Sequence, residues 1–414
     1  MSVGTTRLTA AGRLGGTGFG STHLPYGSYS TAACGPRLGV RLGDHALSVA
    51  ALLRHAGAAA DDIAAADAAN LDILLARDRA TWDRVRAGVV RAVEDAAVAE
   101  SVVREAVPLA ACTLHLPFTV ADYVDFYGNE FHATNVGRIF RPGQPPLTPN
   151  WKHLPIGYHG RAGTIVPSGT AIRRPEGLRP EPAGPPTFGP SRRLDIEAEV
   201  GFVLGSPVPR GEIALRDADD HIFGLVLTND WSARDIQAFE YVPLGPFLGK
   251  SFATSIAAWV TPLACLDRAR VAPPPREAPL AAYLDDSATA AWAFDIDIDI
   301  DLNGEVVSTA PYASTYWTAA QMLAHSTVNG AGLRAGDFFA SGTVSGPGRR
   351  QRGSLLEITW GGTEPLRLAD GSEIAFLRDG DEVTLRATAP GPSGTTITFG
   401  ECAGRVTYGR ADRS

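Results

Sequence analysis

Two stretches of the chain alternate strictly between apolar and acidic side chains. Over residues 193–200, Leu194, Ile196, Ala198 and Val200 point one way, and Asp195, Glu197 and Glu199 point the other. Residues 294–302 repeat the pattern with Asp295, Asp297, Asp299 and Asp301. Both read as strands. From residue 120 onward, short alternating runs recur between turn residues, over 164–173, 194–204, 221–229, 292–302, 336–344, 354–361, 382–388 and 395–408. The earlier part has a different period. Residues 36–49 predict a hairpin turning at Gly43-Asp44. From Asp61 to about Val107, Ala, Leu and Val recur at three- and four-residue steps, which predicts two helices, the second starting near Asp78 or Thr81. Residues 1–30 are rich in Gly, Thr and Ser and predict an extended arm. Two helices are expected within the β-rich part: 232–240, with Ser232 as N-cap, and 314–328, stopped at Asn329-Gly330. The Pro-rich run 174–186 predicts a surface loop. The pattern therefore divides into a small β-plus-helix domain over 1–115 and a large β-rich domain over 116–414.

Composition narrows the class. The 414 residues are 44% hydrophobic and 20% charged, which suits globular domains with a sizeable core. A formal charge of −8, without a basic block, argues against nucleic acid and membrane surfaces as partners. No apolar run reaches the roughly 20 residues of a membrane-spanning helix, and no leader pattern is visible. Cys34, Cys112, Cys265 and Cys402 lie far apart, as buried free thiols of a reducing compartment would. The expected location is the cytoplasm.

Candidate chemistry concentrates between residues 122 and 255. Glu197 and Glu199 share a strand face about 6–7 Å apart and can reach one ion between them. A hard divalent cation wants about six to eight oxygen ligands, so two glutamates need partners from elsewhere. An isolated pair of this kind is most simply a half-exposed edge strand. Asp230 follows a buried strand and precedes a helix, and with Ser232 as the cap it is free to ligate. Arg234, Gln237 and Tyr241 follow at helical spacing on one face, suited to an oxyanion or carboxylate, or else to an ordinary solvated face. Lys250 is alone among Gly, Phe and Leu; if buried, it requires anionic neighbours. The run "DYVDFYGNEFHATNVGRIFR" (122–141) packs Asp125, Tyr127, His132, Asn135, Arg138 and Arg141 together, and His132 is a candidate general base. "NWKHLPIGYHGRAG" (150–163) adds Tyr158, His159 and Arg161 in a Gly-rich loop. The Asp ladder of 294–302 rises about 20 Å, so one ion reaches only neighbouring pairs; with Asn303-Gly304 as a turn it reads as a solvated face.

Taken together these runs resemble the fumarylacetoacetase family. The resemblance rests on "HLPYGSYS", the two runs above, "LDIEAEV", "HIFGLVLTNDWSARDIQAFEYVPLGPFLGKSFATS", "YWTAAQMLAHSTVNG", "LRAGDFFASGTVSG", "SLLEITW" and "FGECAGRV", in family order from residue 23 to about 406. Residues 50–105, 265–290 and 345–352 carry no matching motif, and the run after Arg141 departs from the pattern. The resemblance implies an α+β fold, mainly β, with a small SH3-like N-terminal barrel and a large C-terminal β-roll, assembled as a homodimer. It implies hydrolysis of a carbon–carbon bond in a small 1,3-diketo acid with magnesium or calcium as cofactor. Asp125, Glu197, Glu199 and Asp230 then match metal ligands, with a second ion position at Asp230, Lys250 and Thr254. His132 matches the base and Glu357 the carboxylate that orients it. Arg234, Gln237 and Lys250 match the oxyanion-stabilising set; Tyr127, Arg141, Tyr158, Tyr241, Gly342 and Thr343 match substrate contacts. The competing expectations are an acylpyruvate hydrolase, a related keto-acid decarboxylase or isomerase, and a non-catalytic dicarboxylate binder.

Overall fold

A computed structural model describes residues 8–408 apart from 17, 290 and 291. The fold is mixed α/β, an N-terminal part followed by a larger C-terminal part. Eight elements carry the site: β1 (Asp122–Phe126), α1 (Glu130–Phe140), β2 (Ala198–Leu204), β3 (Ile222–Asp230), α2 (Arg234–Glu240), β4 (Thr254–Ile256), β5 (Asp337–Ala340) and α3 (Leu355–Ile358).

A 13-stranded sheet forms the spine. Strand Trp259–Pro262 leads to β3, then β2, β5, β1 and Gly157–His159, while β4 pairs along the end of β3. β2 and β3 are buried on both faces, so their apolar residues read as continuous runs. The N-terminal strands join the same sheet: Tyr26–Thr31 pairs with Trp259–Pro262 through Tyr26 and Val260. Residues 23–30, expected as an extended arm, are thus in part a buried strand, and Ala10–Leu14 is a short helix capped by Thr9. Side-chain burial from both sequence regions drove this, and local composition gave no sign of it.

The hairpin over 36–49 forms as expected, Cys34–Leu42 pairing with His45–Ser48. The expected pair of helices over 61–107 is instead four: Ala60–Ala66, Asp72–Leu75, Arg79–Glu94 and Ala99–Glu105. Asp67 and Asp95 leave helical geometry and break the apparent period, while Asp78 caps the long helix by accepting from Thr81. Ser232 does not cap α2; it lies in a short strand with its hydroxyl donating to the Asp230 carbonyl. The helix expected over 314–328 begins at Ala319, where Thr318 and Gln321 form a capping box. The Pro-rich run over 174–186 is half of a hairpin, Glu176–Arg179 against Thr187–Pro190. Residues 354–361, expected as a strand, form α3, capped by Ser354. Four residues are too few for periodicity to separate helix from strand.

The Asp ladder lies in a separate six-stranded sheet. Asp297 is exposed; Asp299 accepts from Thr309, Asp301 meets Arg386, and Asn303 and Gly304 turn with positive φ. Asp295 and Asp297 form the solvated face expected of the ladder, while Asp299 and Asp301 are half-buried against their partners. The cysteines are all free, with Cys265 and Cys402 buried, but Cys34 is exposed and Cys112 half-buried, contrary to expectation.

Candidate active site

Strand register brings the acidic groups together. Ala340 of β5 lies opposite both Asp125 of β1 and Gly201 of β2, and Glu199 sits two residues from Gly201 on the same face. Glu199 is opposite Thr228 of β3, two residues before Asp230, and Asp230 is opposite Thr254 of β4. Oxygens of Asp125, Glu197, Glu199 and Asp230 all fall within 4.8 Å of one another, and all four residues are buried.

Cations bind one side of the cluster. The Lys250 ammonium donates to Glu197 Oε2 and Asp230 Oδ2, each at 2.5 Å, and Thr254 Oγ1 donates to Asp230 Oδ1 at 2.7 Å. Arg234 Nη1 donates to Glu197 Oε1 at 2.7 Å. Burial disfavours charge on Lys250 and Arg234, but the carboxylates around them outweigh it and hold both cationic. Burial likewise acts to raise Glu197, yet Lys250, Arg234 and His132 overcome it and hold its carboxyl below the usual range. For Asp125 and Glu199 the pull of Lys250 is outweighed. Burial first, and then the neighbouring carboxylates, push both well above the usual range. Both Glu199 oxygens and Asp125 Oδ1 are buried without a hydrogen-bond partner among the described residues.

That is the signature of a cation site. Unpartnered buried carboxylate oxygens are costly, and a divalent cation among four carboxylates satisfies them all. The donor set is entirely oxygen, which suits a hard cation rather than a soft one. Lys250, being protonated, has no lone pair to give an ion; here it is a countercharge that holds Glu197 and Asp230.

The histidine stands at the edge of this cluster. Asn129 caps α1 by accepting from the His132 amide, which starts the helix with the imidazole facing inward. His132 Nδ1 lies 2.7 Å from Glu357 Oε2, and Nε2 lies 4.0 Å from Glu197 Oε1. Glu357 also accepts from Asn135 at 2.9 Å, Ser345 at 2.9 Å and Ser354 at 2.8 Å. Burial acts to raise Glu357, but His132 and these donors hold it below the ordinary value. An ionised Glu357 can only accept, so Nδ1 carries a proton and Nε2 is left to take one.

A cavity of about 340 Å³ opens above. Asp125, His132, Glu197, Arg234, Gln237 and Lys250 stand on its wall, as do Tyr127, Arg141, Tyr158, Tyr241, Gly342 and Thr343. Phe126, Val136, Phe140 and Ile156 supply apolar surface. Asp230, Lys250 and Thr254 reach a smaller adjoining cavity of about 170 Å³, and Glu357 lies behind His132. Gly342 has φ +77, and a Cβ there would sit 2.1 Å from the Phe126 carbonyl oxygen, so the wall requires glycine at this point. His159 and Arg161 are exposed; His159 pairs with Asp122.

A family model described as "Fumarylacetoacetate (FAA) hydrolase C-terminal" matches residues 123–407, and "Fumarylacetoacetase N-terminal" matches 22–117. The chain belongs to the fumarylacetoacetase family. Fumarylacetoacetase of Homo sapiens is 42% identical over 404 residues, covering 93% of this chain and 95% of that one. Fumarylacetoacetase of Caenorhabditis elegans is 44% identical over 402 residues, with coverage of 93% and 95%. Among solved structures, fumarylacetoacetate hydrolase of Exiguobacterium antarcticum matches with a TM-score of 0.54 at 15% identity, covering 94% of this chain and all of that one. At that identity the likeness speaks for the fold alone. No helix among the described residues is long and apolar enough to cross a membrane.

Reading the sequence of this fumarylacetoacetase-family chain missed several residues that complete the site. The sequence marks Asn135 only as one of a dense run and Ser345 and Ser354 not at all, yet all three donate to Glu357. Asp195 was grouped with the glutamates as one polar face. It is fully buried but turned away from the metal cluster, accepting from Arg234 Nε at 2.8 Å. A break in the strand between Asp195 and Ala198 separates its direction from theirs, and no sequence pattern marks that break.

Proposed function

We propose that this protein hydrolyses fumarylacetoacetate to fumarate and acetoacetate, the last step of tyrosine and phenylalanine breakdown. The carrying observation is the juxtaposition of a His132–Glu357 pair with a buried four-carboxylate cluster beside one cavity, whose wall carries His132, Asp125 and Glu197. His132 Nε2 takes a proton from water, and the oxygen attacks the carbonyl beside the fumaryl group. Arg234, Gln237 and Lys250 donate to the alkoxide that forms; one such donor typically contributes about 3 kcal/mol. Gln237 Oε1 accepts from Arg234 Nη1 at 3.2 Å, which leaves its amide NH2 free to donate. The C–C bond then breaks, the electron pair leaves as the acetoacetate enolate, and the proton held on His132 passes to its carbon. Arg141 and the tyrosines bind the substrate's terminal carboxylate.

Asp125, Glu197, Glu199 and Asp230 would hold a magnesium or calcium ion, with Lys250 and Thr254 steadying Asp230. Such an ion supplies Lewis-acid polarisation of the diketone oxygens. The exposed apolar side chains Val242, Leu244, Phe247 and Leu248, on the loop after α2, fit a homodimer contact. The composition and the free thiols fit a cytoplasmic enzyme. An acylpyruvate hydrolase is not favoured, because the N-terminal family model and relatives over 93% of the chain carry the fumarylacetoacetase description.

The test is loss of diketone absorbance with fumarylacetoacetate, using metal-stripped protein with and without magnesium, beside an acylpyruvate panel. Cleavage of fumarylacetoacetate that returns with magnesium, and slight action on acylpyruvates, is expected; the reverse preference refutes the proposal. His132→Ala should abolish turnover while leaving metal binding nearly intact, and retained turnover would remove His132 as base.

A further inference from the structure

One buried carboxylate outside the cavity links the two catalytic arms. Asp195 has 0% exposure and lines neither cavity above the cluster. Its Oδ1 accepts from the amides of Ile196 and Leu355, both at 2.8 Å. Its Oδ2 accepts from the amide of Leu356 at 3.0 Å and from Arg234 Nε at 2.8 Å. Leu355 and Leu356 are the first residues of α3, whose next residue is Glu357.

These bonds close a circuit. From Asp195 one path runs by hydrogen bonds through Arg234 to Glu197, whose Oε1 stands 4.0 Å from His132 Nε2, near it but not bonded to it. The other runs through the start of α3 and Glu357 to His132 Nδ1. We propose that Asp195 is a positioning residue: a single carboxylate that anchors both the guanidinium of Arg234 and the short helix bearing Glu357, and so fixes the imidazole and the oxyanion donor relative to one another. The inference rests on the function proposed above. α3 has four residues, too few to be stable alone, so tertiary bonds set its orientation, and the two amide bonds to Asp195 are among them. Arg234, bonded to Asp195 through Nε and to Glu197 through Nη1, has its plane set by two carboxylates at once.

Asp195→Asn tests this with little change of shape. Each carboxylate oxygen meets two N–H donors, and an amide has one accepting oxygen. With the amide oxygen in the Oδ1 place, NH2 faces Arg234 and the Leu356 amide; in the Oδ2 place, it faces the Ile196 and Leu355 amides. Either Arg234 is released or α3 keeps one of its two bonds. The expected result is a fall in kcat of about 30- to 100-fold with KM within about threefold, and metal content equal to the parent's. The decisive readout is a pair of double-mutant cycles. Because Asp195 acts through them, its loss should combine with Glu357→Gln, and with Arg234→Met, to less than the product of the single losses. Multiplicative losses in both cycles, or a kcat within threefold of the parent, overturn the proposal.

A second measurement needs no substrate. Nitrogen-15 spectra of labelled histidine, with His132 assigned by its absence in His132→Gln, report which ring nitrogen is protonated. Asp195→Asn should lower the Nδ1-protonated population; an unchanged signal overturns the Glu357 arm. A parent inert on fumarylacetoacetate would refute the proposed function instead, and the spectra would still decide on Asp195. If Asp195→Asn does not fold, the pair Asp195→Asn/Arg234→Met, which removes the stranded guanidinium, replaces it; an Nδ1-protonated population equal to that of Arg234→Met alone then refutes the anchor.

Discussion

Glu357→Gln isolates the charge behind the imidazole. The substitution keeps size and shape in a fully buried position, so packing is preserved. Oε2 receives three donors, His132 Nδ1 at 2.7 Å, Ser345 and Ser354, while Oε1 receives only Asn135. The glutamine carbonyl therefore takes the Oε2 place and its NH2 faces Asn135, whose amide turns over to accept. The bond to His132 survives as a neutral one. A hydrogen bond to a charged group contributes about 1.5–3 kcal/mol and a neutral one about 0.5–1.5, so roughly 1–2 kcal/mol is lost in the ground state. The transition state loses more, because the imidazole carries a full positive charge there and its countercharge has gone. In a buried site this brings the total to about 2–4 kcal/mol, or roughly 30- to 1000-fold in kcat. Catalysis by a general base is worth about 10²–10⁴-fold, which sets the ceiling. Glu357 does not line the cavity, so KM should stay within about threefold. The assay is the steady-state rate of diketone loss with metal in excess. A kcat within threefold of the parent, or an effect confined to KM, would refute the role assigned to Glu357.

Three further outcomes follow from the same geometry. Asp125 and Glu199 are pushed up by burial and by neighbouring carboxylates, so the folded metal-free protein binds more protons than the unfolded chain above pH ~4; stability should fall as pH rises from there, and bound magnesium should abolish the trend, read as melting temperature from pH 5 to 8 with and without the ion. Saturating magnesium at about 100 times its Kd should add about 2.7 kcal/mol, and equal slopes with and without metal would contradict the site. Gly342→Ala places a methyl against the Phe126 carbonyl in left-handed backbone, costing about 1–3 kcal/mol and raising KM; unchanged KM and melting temperature would show that the wall yields. Asp297→Asn, on the exposed ladder, should change stability by less than about 0.5 kcal/mol and leave metal content and kcat alone; loss of bound metal would show the ladder to be a site.

Glu357 and Asp195 mark where sequence reading stops. The motif order from residue 23 to 406 carried family membership, and residue by residue it named the acidic, basic and His groups of the site, but not the apolar wall residues or the serines behind Glu357. Local pattern placed the hairpin at 36–49, the strands that became β2 and β3, and the wet face of the Asp ladder, because period-two alternation and turn residues act within a few positions. It read α3 as a strand, since four buried residues have no period to show. It also read Asp195 and Glu197 as equivalent, since on a strand they share a face.

What the amino-acid order determined alone is thus some of the strands, among them β2, β3 and β5, together with the family and most of the roster of reactive side chains. What only the tertiary structure decided is direction and company. Strand register across β1, β5, β2 and β3 brought four carboxylates within 4.8 Å, and one break after Asp195 sent that carboxylate to Arg234 and α3 instead. Both outcomes depend on pairing between segments more than a hundred residues apart in some cases. Such pairing is selected by burial summed over the whole sheet, which no local window contains.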